Sequence, residues 1–460
     1  MASPLIDAHE TAAIAPGLVT PSERAWREGQ AHRLAQCRVG LLAGIGGMLV
    51  LAPWESWSSH WFWYICMIVA AVSALAIPWF GGQLNWGAFR RPWCWGLAVF
   101  VTAVFISWLL SVNPHQSWRY LRKEFLFYAV AFVGIILGAE STRDLRILVH
   151  ALAISGLVAC AMGIAVYYFY LYGADDVTRH TWIHEKFVDH DIPQDPSSLR
   201  AQYPLEHHNK LGFFAALMTL LVIHVSTTGV RRPWLWRSAA IIPLWALMLT
   251  LNRGGLIGLV LAAAIVALLA NWRRALVFGA VALVAAILAM PAHVREWYMT
   301  IFQEETYTDQ LSSMTYRFNG WRGALNMIAD HPVFGVGYSW RNFEDLYPQY
   351  AVPEEVQRKP HAHNNFLEYA VEIGVPGALG FVVFQIGLLI ASVRLWFRRR
   401  RRDGPLATLI ALQLVILIVG QISYYFRAQL GVVIWSILAI SLAAVALESR
   451  AEESGPEAPA

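Results

Sequence analysis

Charge is scarce in this chain. Only 14% of its 460 residues are Asp, Glu, Lys or Arg and 57% are apolar, against roughly 25% and 45–50% in soluble globular proteins. That excludes a string of ordinary water-soluble domains and points to a membrane. The charges that remain nearly cancel, 35 basic against 31 acidic for a net +4, so there is no broad basic field and nucleic acid is not an expected partner. Cysteine is scarce too. The four, Cys37, Cys66, Cys94 and Cys160, fall in or beside apolar runs with no CxxC pair, which excludes a disulfide or zinc framework and leaves buried thiols. No internal repeat is present, which excludes a solenoid. The first apolar run begins only near residue 39, after a polar and basic segment, so the first span is expected to be retained and not cleaved as a signal peptide.

Long hydrophobic runs and tryptophan are abundant instead. A span needs about 20 mostly apolar residues, and that ruler finds about twelve. They lie near Val39–Leu51, Trp61–Phe80, Trp93–Leu110, Phe125–Leu137, Ile147–Leu171, Leu211–Val225, Ala239–Leu251, Leu256–Ala270, Ala275–Met290, Ile373–Val393, Leu406–Tyr424 and Gly431–Leu447. Many of the 21 tryptophans sit at the ends of these runs, among them Trp54, Trp57, Trp61, Trp63, Trp93, Trp95, Trp236 and Trp272, at the headgroup level that indoles favour. The expected fold is all-α, a polytopic membrane protein. Leu249-Thr-Leu-Asn-Arg-Gly-Gly255 interrupts one long stretch, so the seventh and eighth spans are expected as a helical hairpin or a broken pair.

Orientation follows from Lys and Arg in short loops. With a cytoplasmic N-terminus, Arg90-Arg91, Arg143 with Arg146, Arg231-Arg232 with Arg237, Arg273-Arg274 and the block from Arg398 to Arg402 all fall inside. Two long loops then lie outside, 172–210 and 293–372, and loops of that length commonly carry function. The chain divides into a cytoplasmic segment 1–38, N-terminal spans 39–238, a core 239–447 holding the large outer loop, and a cytoplasmic tail 448–460 expected to be disordered.

Polar groups at membrane depth are costly, so each reads first as functional and second as paired or snorkelling. Arg119, Arg122 and Lys123, in Ser117-Trp-Arg-Tyr-Leu-Arg-Lys-Glu124, share a helical face at i, i+3 and i+4. They form either an anion-holding face beside the membrane or a phospholipid contact. Arg253, in Asn252-Arg253-Gly254-Gly255, stands at a helix break where glycines admit a ligand close to the backbone and free N–H groups can meet a phosphate. The alternative is a snorkelling arginine in a tight turn. Arg317, in Tyr316-Arg-Phe-Asn-Gly-Trp321 ahead of His331-Pro-Val-Phe-Gly-Val-Gly337, reads alone as a solvated or paired arginine. In His361-Ala-His-Asn-Asn-Phe-Leu-Glu-Tyr-Ala-Val-Glu-Ile-Gly-Val-Pro-Gly377 the apolar positions from Phe366 follow helical spacing, placing His363 near a helix N-terminus. The dipole there favours a neutral imidazole able to accept a proton. Asn364 beside it is a helix cap, and both residues could do no more than cap. Asp189-His-Asp191 is either a divalent-metal pair or ordinary loop acid; His361 and His363 lack a third ligand. His207-His208-Asn209 either lines the same outer cavity or sits at the interface.

Taken in order, a broken helix with Arg253, a large late loop with Arg317 and the 331–337 run, then His363-Asn364, nine residues and Gly374-Val-Pro-Gly377, the chain resembles the O-antigen ligase and polymerase superfamily over 239–447. The H-N-x9-G-x-x-G element is similar to the motif of the O-antigen ligases. The resemblance implies a membrane-embedded, GT-C-like glycosyltransferase, inverting, metal-independent and without a cofactor. Its expected partners are an undecaprenyl diphosphate-linked glycan as donor, lipid A-core as acceptor, and membrane lipids. The resemblance implies transfer on the periplasmic face of the bacterial inner membrane. The resemblance implies His363 as general base and Arg253 and Arg317 as catalytic ligands of the diphosphate. Arg119, Arg122, Lys123, Asn364, His361, His208 and Arg200 are candidate substrate contacts. The long first outer loop, with Asp189, Asp191 and Arg200, departs from the family's pattern. Rival readings are an O-antigen polymerase or a protein O-oligosaccharyltransferase using the same donor, and a lipid-linked glycan flippase, whose polar groups should gather near the bilayer midplane.

Overall fold

A computed structural model describes residues 21–54, 60–80, 84, 86–169, 171, 200–205, 207–270, 284, 313–351, 362–399 and 403–453, with no strand among them. Among the described residues the α-helices are α1 Pro21–Leu51, α2 His60–Trp79, α3 Cys94–Leu109, α4 Pro114–Tyr120, α5 Leu126–Gly138, α6 Thr142–Tyr168, α7 His208–Thr227, α8 Pro233–Ala239, α9 Ile241–Leu249, α10 Arg253–Leu269, α11 Ser313–Asp330, α12 Trp340–Leu346, α13 Asn365–Arg398, α14 Gly404–Val419 and α15 Ala428–Glu453.

The expected spans fall onto these helices unevenly. Among the described residues six helices are long and apolar enough to cross a membrane, α1, α2, α6, α7, α13 and α15, and α3, α10 and α14 are shorter apolar helices. The fourth expected span lies on α5, which continues from α4 through a π-helical turn at Leu121–Phe125. The seventh is the short α9, and the ninth, 275–290, lies outside the described residues but for Val284. Burial sorts the helices into layers: 89% of the apolar window of α15 and 83% of that of α7 is enclosed, against 17% for α2. The outer helices turn side chains such as Trp61 and Leu75 outward, an arrangement that suits lipid and would be a liability in water.

Helix starts are built from local chemistry. Ser141 and Asp144 make a reciprocal capping box for α6, and Asn113 caps α4 with Pro114 at its first position. The described loops gather at two ends of the bundle. At one, Arg146 donates to the Thr228 carbonyl and Arg399 pairs with Asp403 and Glu448. At the other, Val112 N–H donates to the Val336 carbonyl and Asn365 N–H to the Gly420 carbonyl.

The break in α13 explains one whole motif. Gly374 sits at φ 79°, ψ 165°, a region essentially closed to residues with a Cβ. Val375 N–H turns away to the Pro332 carbonyl, and Pro376 has no N–H to give. The carbonyls of Val371 and Glu372 thereby lose their helical donors and accept instead from Val336 N–H at 2.8 Å and Gly337 N–H at 3.0 Å. The His331–Gly337 turn is thus keyed into the Gly374 break. A small second core of Ala324, Met327, Val336, Phe343, Tyr347, Ala362 and Val371 then fastens α11 and α12 onto the start of α13.

Candidate functional site

Three helix N-termini meet at one end of the bundle, around the connector Gly420–Arg427. Asn252 caps α10 by accepting from Gly255 N–H at 2.9 Å, and its amide donates to the Asn209 carbonyl in the first turn of α7 at 2.8 Å. The same amide reaches the Tyr425 hydroxyl at 3.5 Å. Asn364 caps α13 by accepting from Phe366 and Leu367 N–H and donates to the Gln421 carbonyl at 3.1 Å. Asn365 completes the join, its side chain accepting from Tyr425 N–H at 3.1 Å. Each helix start brings partial positive charge and unsatisfied N–H groups to the same place, the setting that favours a bound anion.

The residues just before two of these caps are strained. Leu251 has φ 56° and His363 φ 46°, the only left-handed non-glycine residues among those described. Such backbone costs about 1–3 kcal/mol unless over-determined by its surroundings. At His363 the surroundings are explicit: the Glu368 carboxylate accepts from Ala362 N–H at 3.0 Å on one side, and the Asn364 cap fixes the other.

The half-buried His363 imidazole is lowered to about 4, first by burial, then by the charge of Arg317 and then by His207. It is neutral at physiological pH. Arg317, on the second turn of α11, also acts on the Tyr425 phenol, which burial raises and Arg317, with bonds from Ser423 and Asn252, draws back. Arg200 donates to His208 Nε2 at 2.8 Å, and the His207 and His208 rings stack 4.3 Å apart. The structure therefore brings His363, Asn364, Arg317, His207, His208, Arg200 and the Asn252-Arg253 helix start into one region.

Residues 238–382 match the family model described as O-antigen ligase. The chain carries a domain of the O-antigen ligase and polymerase superfamily. No curated protein matches the chain. The matched segment holds Arg253, Arg317, the 331–337 turn, His363 and the Gly374–Gly377 break. Family members are glycosyltransferase-like enzymes, and the apolar helices make this a multi-pass membrane protein.

One group of candidate residues stands apart from this region. Arg119, Arg122 and Lys123 are exposed on α4 and the π-turn, beside α12, and among the described residues no hydrogen bond or ion pair ties them to His363, Arg317 or Arg253. The π-turn also changes their register from that of the expected α-helical face. His361, Asp189 and Asp191 lie outside the described residues. Among those described, no cluster of three or more His, Cys, Asp or Glu side chains is placed to hold a metal ion.

One constellation was missed by the sequence reading. Arg427, at the end of the connector, pairs with Glu372 of α13 and with Glu124 of the π-turn at 3.4 Å. Tyr424 donates to Glu372 at 3.4 Å and Tyr128 to Glu124 at 3.3 Å, and the Arg427 guanidinium lies 4.7 Å from the Tyr424 ring centre. The connector is clamped at both ends, by Gly420 to Asn365 and by Arg427 to two carboxylates. The signal for it was present, since Glu124, Glu368 and Glu372 are acids in apolar helices, which are functional or paired by default.

Proposed function

We propose that the protein transfers a glycan from undecaprenyl diphosphate to a sugar hydroxyl of lipid A-core on the periplasmic face of the inner membrane, with inversion and without a metal ion. The observation that carries this reading is the neutral His363 beside Arg317, where the N-termini of α7, α10 and α13 meet. The opposite end of the bundle holds Arg143, Arg146, Arg231, Arg232 and Arg399, and by the positive-inside rule that end is cytoplasmic.

The chemistry asks for two things. A sugar hydroxyl is too weak an acid to ionise beforehand, so its proton must leave during attack, and a neutral imidazole takes it. The acceptor oxygen bonds to the anomeric carbon from the face opposite the diphosphate. The anomeric C–O bond breaks, and its electron pair departs with the diphosphate. Arg317 and Arg253 supply permanent charge in a planar fork suited to phosphate oxygens, and the helix N-termini add fixed dipoles aimed at the developing charge. Asn364, His208 and Arg200 line the same region as further substrate contacts. A covalent glycosyl-enzyme has no role in a single displacement.

The test is transfer by the purified protein in nanodiscs, given undecaprenyl diphosphate glycan and lipid A-core with a chelator present. A lipid A-core product carrying the glycan, lost in His363→Ala, is expected. Product masses showing extension of the lipid-linked glycan would replace the ligase reading by a polymerase, and a glycosylated Ser or Thr by a protein glycosyltransferase. Movement of donor without any transfer would point to a flippase, and loss of product on chelation would remove the metal-free mechanism.

A further inference from the structure

The exposed trio left outside the catalytic region belongs to a surface of its own. Arg119, Arg122 and Lys123 project from α4 and the π-turn, and Arg341 of α12 stands beside them, its side chain 48% exposed. Among the described residues the nearby opposing charges are buried Glu344, 3.8 Å from Arg341, the neighbouring Asp345, and Glu124 of the π-turn, which is buried and already paired with Arg427. Aromatic rings are interleaved with the cations. Trp118 is 42% exposed and lies on Trp108 with ring centres 5.0 Å apart. The Arg341 guanidinium covers Trp340 at 4.5 Å, and Tyr120 meets that ring edge-on at 5.9 Å.

The surface is rigid because a buried polar knot holds its two halves together. Ser111 and Ser117 hydroxyls are 2.8 Å apart, and the Asn342 amide donates to both, at 3.0 and 2.9 Å. Next to the basic turn a cavity of about 400 Å³ opens between α3 and α5. Its walls are apolar, among them Phe89, Leu97, Phe100, Phe125 and Phe132. Phe125 follows Lys123 by two residues, so cationic surface and apolar cleft are contiguous. Cations beside hydrocarbon-lined space suit an amphiphile with an anionic head.

We propose that this surface anchors the acceptor: phosphate groups of an anionic glycolipid sit on Arg119, Arg122, Lys123 and Arg341, a sugar face lies on Trp118, and an acyl chain enters the cleft between α3 and α5. The assignment rests on the ligase reading, and it separates acceptor anchoring from the donor diphosphate at the helix N-termini.

The test is direct binding without donor, so it reads out whether or not transfer occurs. Native mass spectrometry would compare phosphorylated lipid A-core, the same glycolipid after phosphatase treatment, and phosphatidylglycerol. The unaltered protein should prefer the phosphorylated form by at least about tenfold, the ratio one charge-assisted hydrogen bond supports. In the Arg119→Gln, Arg122→Gln, Lys123→Gln triple variant that ratio should fall to about one. These side chains are exposed and have no ion pair among the described residues, so the variant should remain monodisperse, and the three single variants should each lose part of the preference. A preference retained in the triple variant would overturn the proposal. Equal loss of binding to phosphatidylglycerol would overturn it too, reducing the surface to a general headgroup contact. Binding that behaves as expected in a protein without transfer activity would leave this anchoring intact and refute the ligase reading alone.

Discussion

Protonation of His363 is the perturbation that probes the proposed base most directly. Burial first, Arg317 second and His207 third lower it from the ordinary 6.5 to about 4, which at about 1.36 kcal/mol per pH unit favours the neutral form by about 3 kcal/mol. At pH 5.5 an ordinary imidazole would be only about one-tenth neutral, whereas this one is almost wholly so. The kcat/KM for transfer, which reports the free enzyme, should therefore hold its neutral-pH value at pH 5.5 and fall only near pH 4. The stability sign agrees. Because the folded value is depressed, the folded protein binds fewer protons than the unfolded chain between those limits, so stability present above 6.5 is lost as pH falls through about 4. Thermal unfolding measured at each pH separates that loss from the kinetic one. Arg317→Gln removes the second cause and leaves the first, so the acid limb should move upward yet stay below 6.5; Arg317→Lys should leave it in place. An acid limb at 6.5 in the unaltered protein, or one that Arg317→Gln fails to move, refutes the reasoning.

Three further outcomes follow from the packing. Arg427→Met strands Glu124 and Glu372 in the interior and should cost about 3–5 kcal/mol, most of it recovered when both acids are also changed to Gln; thermal unfolding in detergent reads both. Gly374→Ala forces a Cβ onto the Val333 backbone at a φ of 79°, so the 331–337 turn should detach and become open to limited proteolysis. Glu368→Ala leaves the buried Ala362 N–H without its acceptor, a loss of about 1–3 kcal/mol, while Glu368→Gln keeps an acceptor and should retain most of the stability and transfer rate.

The readable parts of this protein were those set by neighbours in sequence. The starts of α10 and α13 are encoded by Asn252 and Asn364, each an oxygen acceptor placed before an apolar helical pattern, and the α13 break by Gly374 with Pro376. What could not be read was which starts share a site. His207 reaches His363 across the fold, and Arg427 meets Glu124 at a separation of 303 residues, a pairing no local pattern specifies. The basic trio failed for a different reason. Its cations were evident, but a π-turn at 121–125 has no residue signature that separates it from α-helix, so the face they present followed only from the backbone.

The two strained helix starts share one construction, and it has a measurable consequence. In each, a left-handed residue precedes an asparagine whose oxygen caps the helix and whose amide reaches a neighbouring segment, Tyr425 for Asn252 and the Gln421 carbonyl for Asn364. Both amides thus hold the same connector. If that connector is the common reference for His363 and Arg253, removing one amide loosens the support of the other, and the two losses are not independent. Asn252→Ala and Asn364→Ala should each cost about 0.5–2 kcal/mol as lost caps, and a double-mutant cycle on the transfer rate should give a coupling of about 0.5–3 kcal/mol, the range for residues within one network. A purely structural pair of caps, each serving only its own helix, predicts additivity. Additive single effects in the cycle would mean that the two helix starts are placed separately and that the connector does not organise the site.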